Sequence, residues 1–290
     1  MASAARDRAL TVAAVGAMVL VADLGRVGHA HLGVPRSGAL DLPAHRLANR
    51  LVGNDEQAAT LECLGGGLRV RVGAATTVAV TGAQVPLVVD GRPRDWGDAV
   101  AVPRGALVEL GAPVTGLRAY LAVAGGVDVE PVLGSRSTDL LSGLGPAAVQ
   151  PGDVLPVGEA HGPPRPVGLA VPPRARGPLD LLLGPRTEWF EESSVSALAG
   201  SAYVVGSASN RVGLRLEGPP VRWARHEELP SEGMVLGAVQ VPPSGQPVVF
   251  LADHPTTGGY PVVGVLDAAS VARCAQLAPG DEVRFRLRRP

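Results

Sequence analysis

The feature that most constrains this chain is the repeated alternation of short Val-rich runs with Gly- and Pro-containing turns. Apolar runs at 76–80, 85–89, 99–102, 106–110 and 117–123 follow one another at short intervals, and Asp90-Gly91 between two of them is a hairpin signal. Spacing of this kind predicts a barrel or sandwich of short strands, because a doubly wound sheet needs a helix between successive strands.

Composition supports a packed interior. Hydrophobic residues make up 46% while aromatics make up only 3%, so Ala, Val and Leu must fill the core. The 26 basic and 27 acidic residues nearly cancel, which removes the long-range field that draws in nucleic acid or an anionic membrane. Every basic residue is Arg. The absence of Lys excludes a Schiff-base Lys, a Lys general base and the P-loop Lys. ATP, if used, is therefore held in another way or by a partner.

Arg6 and Arg8 precede an apolar run at 9–22 that imitates a secretory leader. Its Thr11, Gly16 and Val content instead predict a buried first strand, and the run is too short to span a bilayer. Cys63 and Cys274 are isolated among apolar neighbours. They read as buried hydrophobes in a reducing, cytoplasmic setting.

Helices are expected at 39–52, with Asp41 as cap and Pro43 in the first turn, at 188–198 and at 270–277. Further strands are expected at 179–183, 202–205, 213–217, 234–241, 248–251, 262–266 and 282–287. A Pro-rich stretch marks the division into an N-terminal β domain (1–158), a linker (159–178) and a C-terminal domain (179–290). Pro-Gly-Asp at 151–153 and again at 279–281 precedes a strand in each half. This hints at two related β domains.

No G-x-S-x-G elbow, H-E-x-x-H, C-x-x-C or Walker loop is present. His29 and His31 share a spacing that could bind metal on a strand, but no Cys or carboxylate clusters with them, and they read as loop residues. Four stretches hold more Gly and polar residues than a core needs: 33–41, 120–145, 209–219 and 231–260. Such loops present backbone N–H groups and guanidinium forks suited to carboxylate or phosphate.

In order, GALDLPAHRLANRLVGN, YLAVAGGVDVEPVLGSRSTDLLSGLG, SNRVGLRLEGP, QVPPSGQPVVFLAD and TTGGYP resemble the biotin-dependent carboxyltransferase-like family. That family includes the 5-oxoprolinase C-type subunit, allophanate hydrolase subunit 2 and the carboxyltransferase region of urea carboxylase. The resemblance runs from about Leu10 to Phe285. It implies a mainly β fold of two tandem β-barrel-like domains, the second cyclophilin-like, with a few short helices. It implies a B-like partner subunit, often an A-like one, and a small amide substrate. In the 5-oxoprolinase system, 5-oxo-L-proline is opened to L-glutamate with ATP, shared with the partner subunits.

On that resemblance the catalytic candidates are Asn210, Arg211, Asp253, Thr256, Thr257 and Tyr260. Gly258, Gly259 and Gln240 are expected to bind an anion beside them. From the first half, Ser37, Asp41, Arg136, Ser137 and Asp139 are expected to line a cleft. Arg211 is expected to pair with a carboxylate or phosphate, and the loop 256–259 to cradle an anion. Relatives usually read Q-T-T-G-G-Y-P followed by Lys or Arg. Here Pro255 and Val262 stand at those two places, and His254 either replaces the missing cation or marks altered chemistry. Biotin is not expected on this chain, which has no Lys to carry it. Two other readings stay open: a carboxyltransferase acting on urea- or allophanate-like amides with biotin on a partner, and a non-catalytic antagonist of a kinase inhibitor.

Overall fold

The computed structural model describes residues 8–165 and 177–289. They form two compact units: 8–26, 41–139 and 143–165 in the first, and 27–40, 140–142 and 177–289 in the second. The division is thus discontinuous in sequence, unlike the expected 1–158, 159–178 and 179–290. Residues 27–40 and 140–142 group with the later chain. Of the expected linker, 166–176 lies outside the described residues, and Arg165 bonds back to Leu51 within the first unit.

The first unit contains β1 (Ala9–Ala14), β2 (Met18–Ala22), α1 (Leu42–Leu51), β3 (Thr60–Leu64), β4 (Arg69–Val72) and β5 (Thr76–Gln84). It continues with β6 (Leu87–Val89), β7 (Arg92–Arg94), β8 (Ala99–Val102), β9 (Leu107–Leu110), β10 (Thr115–Val123) and β11 (Val154–Pro156). One sheet has the order β11-β1-β4-β9-β6-β7 and the other β2-β3-β10-β5-β8. Inward residues of both, among them Val12, Val70, Leu61, Val80, Val108 and Leu121, make one core.

The expected single strand at 9–22 is two strands, β1 in one sheet and β2 in the other. The break falls at Gly16. A Cβ there would lie 2.0 Å from the Gly66 carbonyl oxygen, and one at Gly66 would lie 2.0 Å from that of Gly111. These corners bring three backbones together with no room for a side chain.

The sheet β2-β3-β10-β5-β8 is also covered on its other face by α1, which packs on β5 and β10. Asp41 caps α1 as expected, accepting from the Ala44 N–H at 3.1 Å. Beneath the helix lies a buried polar layer. The Tyr120 hydroxyl donates to Glu62 Oε2 at 2.8 Å and accepts from the Asp41 N–H at 2.8 Å, and Arg118 stands 3.5 Å from Glu62. His45 donates from Nε2 to the Glu56 carbonyl, leaving Nδ1 to accept from the Thr60 hydroxyl. Burial holds the His45 pKa below its ordinary value and pushes that of Tyr120 well above its own.

The second unit contains β12 (Leu179–Leu183), α2 (Glu192–Gly200), β13 (Tyr203–Val205), β14 (Gly213–Glu217), β15 (Glu232–Gly233) and β16 (Ala238–Gln240). After these come β17 (Val248–Phe250), β18 (Thr257–Gly258), β19 (Val262–Leu266), α3 (Ala268–Cys274), β20 (Glu282–Val283) and β21 (Phe285–Arg288). Its main sheet has the order β20-β13-β14-β17-β16-β19-β12-β21. The two outermost strands are successive pieces of one run interrupted only at Arg284, so the sheet closes into a barrel. The fold is mainly β, as expected, with three α-helices among the described residues.

The expected strand at 234–241 is reduced to β16, because Gly237 adopts a left-handed φ of 83° just before it. The helix expected at 188–198 is a 3-10 turn (Thr187–Trp189) followed by α2. Asp267 caps α3 through the Ser270 N–H, so that helix starts two residues before the expected position. Cys63 and Cys274 are free and buried. Burial pushes the Cys274 thiol up to about 12, and Cys63 rises as well.

The Pro-Gly-Asp turns have the same hydrogen bonds in both units. Asp153 accepts from the Gln150 N–H and Asp281 from the Ala278 N–H, three residues back in each case. Val12 and Val205 each exchange two backbone bonds with their turn. The same strand-initiating turn thus recurs, before β11 and before β20.

Gly66→Ala should lower stability by about 2 kcal/mol or more, because it combines a left-handed φ with a backbone collision. Gly91→Ala, at a similar φ but in open space, should lower it by about 1 kcal/mol. Urea unfolding of the two variants checks the order.

Candidate functional site

Strand β17 is followed directly by Leu251-Ala252-Asp253, and all three residues are buried. Arg211, in the turn before β14, faces Asp253. Its Nε donates to Oδ2 at 2.9 Å and its Nη2 to Oδ1 at 3.0 Å, with side-chain exposures of 1% and 0%. Nη2 also donates to the Gly38 carbonyl at 2.6 Å. The Ser37 hydroxyl adds a 2.7 Å bond to Asp253 Oδ1, and the Ser37 N–H donates to the Ala252 carbonyl. Ser37 holds a left-handed φ of 53°, unusual outside Gly, and these two bonds stabilise it. Asn210 shapes the preceding turn, its Oδ1 accepting from the N–H groups of Val212 and Gly213.

The carboxylate that Arg211 pairs with is that of Asp253 in its own chain; the buried guanidinium thereby anchors the 37–38 segment to the barrel.

From Asp253 the chain leads onto the outer face of the barrel. Val239, Val249 and Val263 point into the core, so Ala238, Gln240, Val248, Phe250 and Val262 point outward. Over this face lies the ribbon of β15 and β18, in which Glu232 pairs with Gly258 and Gly233 with Thr257. Met234, whose N–H donates to the Thr256 carbonyl, packs with Phe250 and Ala238 beneath it. Gln240 donates to the Tyr260 carbonyl at 3.1 Å. A Cβ on Gly258 would come within 2.7 Å of the Gln240 amide and 3.2 Å of Met234, so only Gly fits without displacing them. Thr257, Gly259 and Tyr260 are exposed, and the Tyr260 ring lies against Trp223 with centroids 6.3 Å apart. Arg186 pairs with Glu232 at the edge of the ribbon.

The result is a ribbon seated on buried Phe250, Met234 and Gln240, with an aromatic edge (Tyr260, Trp223) and Thr257 exposed. His254 closes one side, stacked on Phe250 with centroids 6.0 Å apart. Desolvation lowers its pKa below the ordinary value, so it is neutral near pH 7 and does not supply the missing cation.

The first-half candidates lie in two places. Ser37 belongs to the second unit, with Asp253. Asp41, Arg136, Ser137 and Asp139 belong to the first. There the Ser135–Ser137 loop wraps a residue that sequence reasoning passed over, Asp23. Its carboxylate accepts from the hydroxyls of Ser135 and Ser137 at 2.6 Å each, from the Arg136 N–H at 2.6 Å and from the Gly25 N–H at 2.8 Å. The Arg136 side chain reaches Asp128 at 2.7 Å, and the Asp139 N–H donates to the Leu144 carbonyl. Buried Arg26 donates to the carbonyls of Ser137 and Val132. His31 donates from Nδ1 to the Gly28 carbonyl, and no group of three or more His, Cys, Asp or Glu among the described residues could hold a metal. No helix among them is long and apolar enough to cross a membrane.

A family model described as carboxyltransferase domain, subdomain A and B, matches residues 32–287. The chain belongs to that carboxyltransferase family. It is 38% identical over 286 residues to the 5-oxoprolinase C-type subunit of Escherichia coli (strain K12), covering 95% of this chain and 90% of that protein. Among solved structures, TTHA0988 superposes with a TM-score of 0.87 at 39% identity, and the Kluyveromyces lactis urea carboxylase with 0.88 at 29%. Each alignment covers 96% of this chain, but only 56% and 27% respectively of those longer chains. This carboxyltransferase-family chain thus carries the TTGGY ribbon on the outer face of its second barrel.

Sequence reasoning missed Phe250, Met234 and Trp223 because nothing in a short apolar run tells which alternate residue faces outward. Glu62 carried a signal: a carboxylate inside Thr60–Leu64, a run otherwise mostly apolar, must be paired within the fold.

Removing either partner of the buried pair leaves an uncompensated charge. Arg211→Ala and Asp253→Ala should each cost about 3–5 kcal/mol, and the double variant clearly less than their sum. Chemical denaturation of the three variants checks this. Losses below about 1 kcal/mol would mean the pair does not hold the site together.

Proposed function

We propose that this chain is the C-type subunit of an ATP-dependent 5-oxoprolinase, active with B-like and A-like partner subunits, and that the ribbon on the outer face of the second barrel contacts the lactam. The observation that carries this reading is the near end-to-end correspondence with the 5-oxoprolinase C-type subunit, over 95% of this chain and 90% of that one.

The chemistry explains why partners are needed. An unstrained lactam is a poor electrophile. ATP, bound in the assembly, phosphorylates the lactam oxygen and makes the ring carbon electrophilic. Water adds there, the ring C–N bond breaks to free the amine, and hydrolysis of the resulting acyl phosphate yields L-glutamate, phosphate and ADP. This chain has no Lys and no Walker loop, which fits an ATP site lying mainly on partner chains. Its own contribution is positioning: the buried Phe250 and Met234 support the ribbon from below, Gln240 fixes Tyr260, and Thr257 and Tyr260 offer hydroxyls at the open edge. A second reading, transfer of a carboxyl group to urea-like amides with biotin on a partner, is favoured by the likeness to a urea carboxylase structure.

The test is ATP-dependent glutamate release from 5-oxo-L-proline by the co-expressed subunits, with and without this chain. Release should require it. Tyr260→Ala and Thr257→Val, both at exposed positions, should lower kcat/KM about tenfold, close to 1.4 kcal/mol, with unchanged thermal midpoint. A stable complex with no glutamate release, but with biotin-dependent carboxylation of urea, would favour the second reading. A stable complex with neither activity would leave the regulatory role.

A further inference from the structure

The β15–β18 ribbon is a two-stranded sheet of its own, with two residues on each strand, and it does not join the barrel sheet. A ribbon that small is not stable alone, so contacts to the body must fix where it lies. Exposed residues 224–228, without helix or strand, precede it, and a Cβ on Gly233 would meet nothing within 4 Å. Arg186 faces the ribbon from the barrel. The backbone around it is tied down: the Gly184 N–H donates to the Val263 carbonyl, and Trp189 is buried. The guanidinium grips Glu232 of β15, with Nε 3.1 Å from Oε1 and 3.4 Å from Oε2, and Nη2 also donates to Oε1. The two side chains are 38% and 32% exposed.

We propose that Arg186 is a positioning residue: through Glu232 it holds the ribbon, and with it the Thr257–Tyr260 edge, in one place on the barrel. Glu232 pairs with Gly258, so a shift of Glu232 carries Thr257 and Gly259 with it. Tyr260 lies two residues beyond Gly258, its carbonyl held by Gln240 and its ring against Trp223. The forked contact fixes direction as well as distance, which a Lys ammonium cannot do. A pair this exposed contributes little to global stability. Its effect falls on a local equilibrium, in which the ribbon lifts while the barrel stays folded. The inference deepens the proposed function and rests on the Thr257–Tyr260 edge being the contact with the lactam.

The experiment uses the full chain with its co-expressed partners, as Arg186→Gln, as Glu232→Gln, and as the charge-swapped pair Arg186→Glu with Glu232→Arg. The Met234 N–H, which donates to the Thr256 carbonyl, reports the seated ribbon by hydrogen exchange, and the amides of β17 are the control. Each single variant should exchange the Met234 amide about fivefold faster, with the β17 amides and the thermal midpoint unchanged. KM for 5-oxo-L-proline should rise about fivefold with kcat nearly unchanged, and the swapped pair should recover most of both losses. Adding Arg186→Gln to Tyr260→Ala should cost nothing further, because both act through one edge. Should one single variant fold poorly, the other removes the same contact from the opposite side. The proposal is overturned if the Met234 amide keeps its wild-type rate, if the swap recovers neither quantity, or if the Arg186→Gln and Tyr260→Ala losses multiply. A wild-type assembly that releases no glutamate would overturn the 5-oxoprolinase reading, and the exchange rates with their recovery in the swapped pair would then decide the role of Arg186 alone.

Discussion

The site depends on one buried ion pair. Arg211 and Asp253 are both removed from water, which is unfavourable for each alone, and the bidentate contact together with Ser37 and the Gly38 carbonyl offsets that penalty. Two stretches far apart in sequence, 37–38 and 210–213, are thereby tied to the end of β17. A ligand-facing Arg211 would have left Asp253 buried without a counter-charge.

The first unit solves a similar problem in a similar way. There β2 ends in Ala22-Asp23, as β17 runs on to Ala252-Asp253. Both carboxylates are buried and both hold a serine-bearing loop. Asp23 is satisfied by two hydroxyls and two backbone N–H groups, whereas Asp253 takes an Arg as well. Together with the matched Pro-Gly-Asp turns, this gives each unit a strand end that fixes a loop through an inward aspartate. In such a framework, loops dense in Gly and Ser need little packing of their own to hold a defined shape.

The outer face beneath the ribbon follows from closing a barrel. Once the sheet of the second unit closes, alternate residues of β16, β17 and β19 fill the interior and the rest must face outward. Phe250 and Val262 would be exposed there without the β15–β18 ribbon. The ribbon covers the floor but leaves Thr257, Gly259 and Tyr260 at its edge.

The residues alone determined a great deal. The Val-rich runs and turn residues dictated short strands. Asp41 and Pro43 dictated a helix start, and the lack of Lys excluded whole classes of chemistry. Such features act through neighbours in the chain, by capping, hairpin turns and the period of two, so one sequence is enough to read them. Ordered motifs from the first half to TTGGY pointed to the family. Only the tertiary structure decided that Arg211 faces Asp253, that Arg136 and Ser137 organise a loop around Asp23, that 9–22 splits between two sheets, and which side chains seat the ribbon. Each of these is a contact between residues distant in sequence, and its energy depends on burial and on the partner's position, neither of which is written in local pattern.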